Sequence, residues 1–255
     1  MSTTAPSGQD RELAGLVAIV TGASRNIGRA IALELASAGA AVVVNARTAR
    51  ADADAVAQEI NAAGGAAMAH LADVTDAAAV RAMADAAVAR FGGINVLVNN
   101  AAVRSEAAFA AMSVAEWRST LAIVLDGAFL CAQACLPAMI NAGGGAIVNI
   151  GGLTGHTGAR ERAHVVTAKA GLVGLTKALA QELAPHRVTV NCVAPGLIDT
   201  RRAGSAPAHH AERKTIIGRL GTPDDIAGVV RLLAGPRGTY ITGQTLHVNG
   251  GVYMP

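Results

Sequence analysis

The chain has 255 residues, a formal net charge of +3, 2% aromatic residues and three cysteines. That charge is too small for a nucleic-acid footprint, the aromatics are too few for a base-stacking platform, and three cysteines make no disulfide framework. No apolar run reaches the roughly 18 residues of a membrane helix, and MSTTAPSGQD lacks the basic start and apolar core of a secretory signal. The expectation is a disordered tail at 1–12, a cytoplasmic protein with free thiols, and neither nucleic acid nor membrane as partner.

In chain order, short β-branched runs alternate with longer alanine-rich segments of helical period. LVAIVTG (16–22) predicts a buried strand and turn, and 29–39 a helix ended by a glycine. AVVVNAR (41–47) is a second strand and 52–63 a second helix. Strands at 66–72 and INVLVNNA (94–101) flank a helix at 76–91. The segment 113–142 reads as one long helix bent near Pro137, with Cys131 and Cys135 one turn apart in its apolar stretch. GAIVNI (145–150) is a strand, 163–184 a helix, and RVTVNCVAPG (187–196) a strand ending in a Pro-Gly turn. A basic loop at 197–221, a helix at 223–234 and a strand at 243–251 close the chain.

Apolar strands separated by helices predict an α/β fold: a single-domain, doubly wound parallel sheet of the Rossmann type over 13–255, with helices on both faces. TGASRNIGRA (21–30) joins its first strand to its first helix, where a helix N-terminus offers free N–H groups to a pyrophosphate. Gly22, Ser24, Arg25, Asn26, Ile27 and Gly28 are the expected cofactor loop. Gly22 permits the turn and Gly28 close helix packing. Asn26 stands where a glycine is usual, and asparagine tolerates positive φ better than most residues.

The chain resembles the short-chain dehydrogenase/reductases, nearest in look to the 3-ketoacyl-carrier-protein reductases. The likeness runs from about Leu13 to Val252 on TGASRNIG (21–28), DVTD (73–76), NNAA (99–102), IVNI (147–150), Lys169, VNCVAPGLIDT (190–200), RLGTPDDIA (219–227) and YITGQTLHVNGG (240–251). It implies that Asp73 and Val74 hold the adenine and that Asn100 borders the adenosine ribose. Lys169 would bind the nicotinamide ribose, and Pro195, Gly196, Ile198 and Thr200 would line the carboxamide. The position after the second strand that would carry an acid for a free 2′-hydroxyl is Ala46. Arg25 and Arg47 flank it, so the expected cofactor is NADP(H).

Family members reduce carbonyls with a tyrosine acid, a lysine four residues later, a serine thirteen residues before the tyrosine, and an asparagine on the long helix. Carried over from Lys169, these positions are Val165, Gly152 and Val124. Only Lys169 remains, and both tyrosines, Tyr240 and Tyr253, lie near the C-terminus. Proton transfer alone contributes roughly 100- to 10,000-fold in such reactions. Replacement groups within reach by sequence are His164, His156 and Thr154, with Tyr253 across a subunit boundary as a remoter candidate. No metal ligand set is expected, the His209–His210 pair being too little for one.

Three readings follow. The chain is an NADP(H)-dependent oxidoreductase with altered acid–base groups, His164 or His156 acting with Lys169. Or it acts on a substrate, such as an iminium ion, that needs no tyrosine. Or it is a catalytically degenerate NADP-binding or scaffold subunit. In the expected lid, Arg201, Arg202, Arg213 and Lys214, with Arg160 and Arg162 in the facing loop, either attract an anionic small-molecule substrate or form a solvated surface. The resemblance also implies a homotetramer built on 113–142, 163–184 and the last strand.

Overall fold

A computed structural model describes residues 11–200 and 215–255. Strands β1 (Val17–Val20), β2 (Ala41–Ala46), β3 (Ala66–Leu71), β4 (Val96–Asn99), β5 (Gly145–Ile150), β6 (Val188–Pro195) and β7 (Thr245–Val248) form one seven-stranded sheet in the order β3-β2-β1-β4-β5-β6-β7. Every pairing is parallel. β1 and β4 are buried along their whole length because helices cover both faces, which is why they read as unbroken apolar runs. Strand order reverses between β1 and β4, and a crevice opens there at the carboxyl ends of the strands.

Helices α1 (Asn26–Ser37), α2 (Arg50–Ala62) and, later in the chain, Pro223–Ala234 pack one face through Ile31, Leu35, Val56, Ile60, Ile226 and Val230. α3 (Ala77–Phe91) and the C-terminal part of the long helix pack the other through Met83, Ala87, Cys131, Cys135 and Met139. The long helix comprises α4 (Val114–Leu121), a π-turn at Ala122–Asp126 and α5 (Gly127–Asn141). It runs on through Pro137, so its departure from α geometry lies in the π-turn and not at the proline. In length and mean hydropathy Val114–Asn141 would suffice to cross a bilayer, but Asp126 interrupts its apolar run and its buried face is the cover of the sheet. Burial drives the Cys131 thiol up to about 12 and raises that of Cys135 as well, so both are neutral packing groups.

The remaining helices are the short α6 (Thr154–Thr157), α7 (Ala163–Leu183) and α8, the Pro223–Ala234 helix named above. Ser113 with Glu116 and Thr222 with Asp225 form reciprocal capping boxes, placing the starts of α4 and α8. Glu12, at the expected end of the N-terminal tail, is instead held by Arg231 at 2.9 Å, and Arg231 also reaches Glu34 at 3.0 Å. The ordered domain therefore begins before residue 13, with Leu13 fully buried.

Candidate active site

The turn after β1 is held from three sides. Thr21 Oγ1 donates to the Val98 carbonyl at 3.2 Å and accepts from the Asn100 and Ala101 amides at 2.9 and 3.0 Å. The Asn100 side chain donates to the Thr21 and Gly22 carbonyls at 2.8 and 3.0 Å. From β2, Asn45 Oδ1 accepts from the Gly22 amide at 3.2 Å. Gly22 has φ +61° and Asn26 φ +51°, so asparagine does adopt the conformation for which glycine is the easier choice. A Cβ on Gly28 would lie 2.4 Å from the Gly22 carbonyl and 2.5 Å from the side-chain Nδ2 of Asn100. The N-terminus of α1 is thereby fixed at the switch point, with Ser24 half-buried and Arg25 exposed at its start.

At the end of β2, Ala46 is buried and Arg47 exposed. Asp73 follows β3, and its Oδ1 accepts from the Thr75 amide and hydroxyl at 2.9 and 2.8 Å. These two bonds, the backbone one foremost and Arg47 nearby, hold its carboxyl below the usual range. Val74 is buried against Gly127, where a Cβ would meet its side chain at 2.8 Å.

A cleft of about 890 Å³, its open mouth included, runs from Ile27 and Asn100 past Gly152, Thr154, Val165 and Lys169 to Pro195, Gly196 and Ile198. Lys169 is 9% exposed and donates from Nζ to the Ile150 carbonyl at 2.6 Å. Burial lowers its pKa to about 8, with Arg104 and Arg162 acting in the same direction and Cys192 against it. Val165, one turn before Lys169 on α7, stands on the same wall. Gly152 lines it too, and a Cβ there would meet nothing nearer than Lys169 Cγ at 3.9 Å. Val165, Gly152 and Lys169 thus line one cleft, and neither Val165 nor Gly152 presents a polar side-chain group. Val124 sits in the π-turn and faces a separate narrow crevice with Thr21, Val74 and Asn99.

Behind this wall runs a buried polar chain. Asn99 Nδ2 donates to Asn149 Oδ1, and Asn149 Nδ2 to Thr176 Oγ1, both at 2.9 Å; Thr176 then donates to the Leu172 carbonyl at 2.7 Å. It ties β4 and β5 to α7, the helix that carries Val165 and Lys169. NNAA and IVNI supply its two asparagines, but only the strand register brings Asn99 opposite Asn149.

The two histidines are not brought to the cleft wall. His164 is fully buried with Nε2 2.6 Å from Ser105 Oγ, because one helical position away from Val165 turns a side chain by about 100°. His156, on α6, packs its ring against His247 (centroids 4.5 Å apart) and Tyr253 (5.9 Å). Burial is the main influence lowering the pKa of both. The sequence argument that made them neighbours of the vacant positions is one of chain distance; the geometry instead places Thr154 on the wall. Tyr253 meets His156 within its own subunit.

Gly196 continues the floor. Its amide donates to the Val248 carbonyl at 2.9 Å, and a Cβ would strike Asn249 Cα at 2.5 Å. Ile198 forms a parallel bridge with Gly221. Thr200 Oγ1 accepts from Arg104 Nη1 at 3.2 Å. Arg104 lines the cleft, as Arg162 does, and sequence reasoning missed it; its only signal was a cation shortly after NNAA. Arg201, Arg202, Arg213, Lys214, His209 and His210 lie outside the described residues.

The family model described as Enoyl-(Acyl carrier protein) reductase matches residues 22–253. A 3-oxoacyl-(acyl-carrier-protein) reductase of Staphylococcus aureus is 42% identical over 240 residues, covering 93% of this chain and 98% of the relative. The chain is a short-chain dehydrogenase/reductase. Among solved structures of the family, a dehydrogenase/reductase from Sinorhizobium meliloti has a TM-score of 0.91 and 37% identity, over 97% of this chain and 98% of that one. A short-chain dehydrogenase from Burkholderia cenocepacia, solved in complex with NADP, has a TM-score of 0.89 and 35% identity over 94% and 99%.

Proposed function

We propose that the chain is an NADP(H)-dependent oxidoreductase that exchanges a hydride with a small carbonyl or alcohol substrate without a tyrosine acid. The residues fit the dinucleotide. At Gly28 a Cβ would collide with the turn that precedes α1, and the second strand ends in Ala46 and Arg47 instead of a carboxylate that would repel a 2′-phosphate. The Burkholderia relative's NADP complex is in keeping with this. When bound, the nicotinamide supplies the hydride.

The carrying observation is that Lys169 lines the cleft with its ammonium anchored on the Ile150 carbonyl, while Val165 makes the adjoining wall apolar. Lys169 orients the ribose hydroxyls by donating to them. Val165 excludes water and leaves the substrate oxygen to the Thr154 hydroxyl, which is, with Asn100, a neutral side-chain donor among the described residues lining the cleft. Arg104, Arg162 and Lys169 give the cleft a positive field. That field favours a substrate on which negative charge develops and disfavours a bare iminium cation, which places carbonyl chemistry ahead of imine chemistry. His164 and His156 act in this reading as packing groups. The apolar faces around Val114 and Phe129, 64% and 48% exposed, are where a homotetramer would form, a state that light scattering reads directly.

The test is a fluorescence titration with NADPH followed by turnover with panels of ketones, keto acids and cyclic imines. Binding with carbonyl turnover is expected. Tight binding with no turnover on any panel would leave the non-catalytic nucleotide-binding reading standing, and absence of NADPH binding would overturn both.

A further inference from the structure

We propose that His156, His247 and Tyr253 form a proton-operated latch: while both imidazoles are neutral their rings hold the segment after β7 against α6, and uptake of a proton by the pair releases it. The three rings come from separate elements, α6, β7 and the segment 249–253, and each touches the other two. His156 and His247 meet edge-on with centroids 4.5 Å apart, His247 and Tyr253 do so at 5.1 Å, and His156 stacks on Tyr253 at 5.9 Å. Within the segment, Asn249 Nδ2 donates to the Tyr253 carbonyl at 2.8 Å and Asn249 Oδ1 accepts from the Gly251 amide at 2.9 Å. Those bonds shape the turn, whereas the rings tie it to α6.

The contact is suited to neutral rings only. His156 Nε2 and His247 Nδ1 are shut off from solvent, and neither has a hydrogen-bond partner. A proton on either ring therefore puts a cation into a buried contact that offers it no acceptor. The surrounding groups do not compensate. On α7, which packs against α6, Lys177 acts on His156 with like charge, and the Lys169 ammonium is turned to the Ile150 carbonyl. On β6, beside β7, burial keeps the Cys192 thiol neutral. The segment 215–217, whose Ile216 amide donates to the Gly250 carbonyl at 2.9 Å, brings no charge. No carboxylate acts on either imidazole. The face of the Tyr253 ring would favour a cation, but burial outweighs it. Both histidines titrate below the ordinary 6.5, with Lys177 adding to the effect on His156 and His156 to that on His247. The docked state thus binds fewer protons than the released one, so the latch is closed above about pH 6.5 and weakens as pH falls below it.

Because α6 also carries Thr154, opening of the latch moves part of the cleft wall. That consequence rests on the role given to Thr154 above; the latch itself is tested without cofactor or substrate. Hydrogen exchange of the full chain is followed by mass spectrometry at about pH 7.5 and about pH 5.5, corrected for the intrinsic pH dependence of exchange. Each histidine that takes up its proton on release favours opening by up to about tenfold per pH unit below its free value. Peptides covering 153–158 and 249–254 are therefore expected to lose at least about threefold in protection at the lower pH, while those of β1 and β4 keep theirs. His156→Phe and His247→Phe each keep a ring and remove a titrating group. Each is expected to reduce the loss, and the double variant to abolish it. In the wild type, the imidazole proton resonances of both residues are expected to titrate below 6.5, a measurement that stands even if the variants do not fold. Unchanged protection in the wild type overturns the proposal, as does a loss that the sheet shares or one as large in the double variant. Imidazoles that titrate at or above 6.5 overturn it too. Failure of NADPH to bind would overturn the reading of the cofactor and leave the latch standing.

Discussion

Rebuilding the absent acid should convert the cleft into an ordinary carbonyl reductase. The double substitution Gly152→Ser and Val165→Tyr places a hydroxyl and a phenol around Lys169. The serine costs little sterically, because a Cβ at 152 has no neighbour nearer than 3.9 Å. The tyrosine replaces a side chain only 3% exposed, but the wall it leaves borders a cleft of about 890 Å³ into which the ring can project. A misfit would cost about 1–3 kcal/mol of stability. Position 165 is four residues before Lys169, about 6 Å along α7, so a phenol there shares one face of the helix with the ammonium. General acid help of this kind contributes about 100- to 10,000-fold, and that is the expected rise in kcat for NADPH oxidation with simple neutral ketones, over a wild type that turns them over poorly. The rise should fall away at high pH as the phenol loses its proton. The assay is steady-state NADPH oxidation, with thermal unfolding and NADPH titration as controls. A double variant that is folded and binds NADPH but reduces ketones no faster than wild type would refute the assignment of Val165 and Gly152 as the vacated positions.

Gly28→Ala should cost about 2 kcal/mol or more in stability and abolish measurable NADPH binding, because its Cβ would lie 2.4 Å from the Gly22 carbonyl; thermal unfolding and fluorescence titration read both. Asn26→Ala should destabilise by about 1–2 kcal/mol at φ +51°, whereas Asn26→Gly should be close to neutral in urea unfolding. Lys169 is held protonated only below about pH 8. NADPH affinity should therefore be flat at lower pH and weaken as pH rises through 8, a slope that Lys169→Met removes. The same depressed value means that the folded protein binds fewer protons than the unfolded chain between about pH 8 and the usual 10.5. The ammonium's contribution to stability is thus unfavourable below 8 and recovers across that window, so Lys169→Met should gain relative stability chiefly at low pH in chemical unfolding. Thr154→Val should lower kcat with a keto acid by about tenfold or more while leaving NADPH affinity unchanged, if its hydroxyl meets the substrate oxygen.

Much of this protein was readable from local pattern. Apolar runs too short for helices and buried on both sides announced the parallel strands, and Ser113-x-x-Glu116 and Thr222-Pro223-x-Asp225 carried the cues for the starts of α4 and α8. The positive φ at Asn26 was also legible, since it depends on a residue's place in a short motif. What lay beyond the sequence depended on direction and distance between segments far apart in the chain. A one-residue difference on α7 sends His164 to Ser105 and Val165 to the cleft. Strand register alone joins Asn99 to Asn149 across fifty positions. Arg104 and Arg162, far apart in the chain, line one cleft where β4 and β5 lie side by side. Periodicity reports which face of an element is apolar; it carries no information on which side chains from separate elements share the same few ångströms, and that arrangement determines the charge and the chemistry of the site.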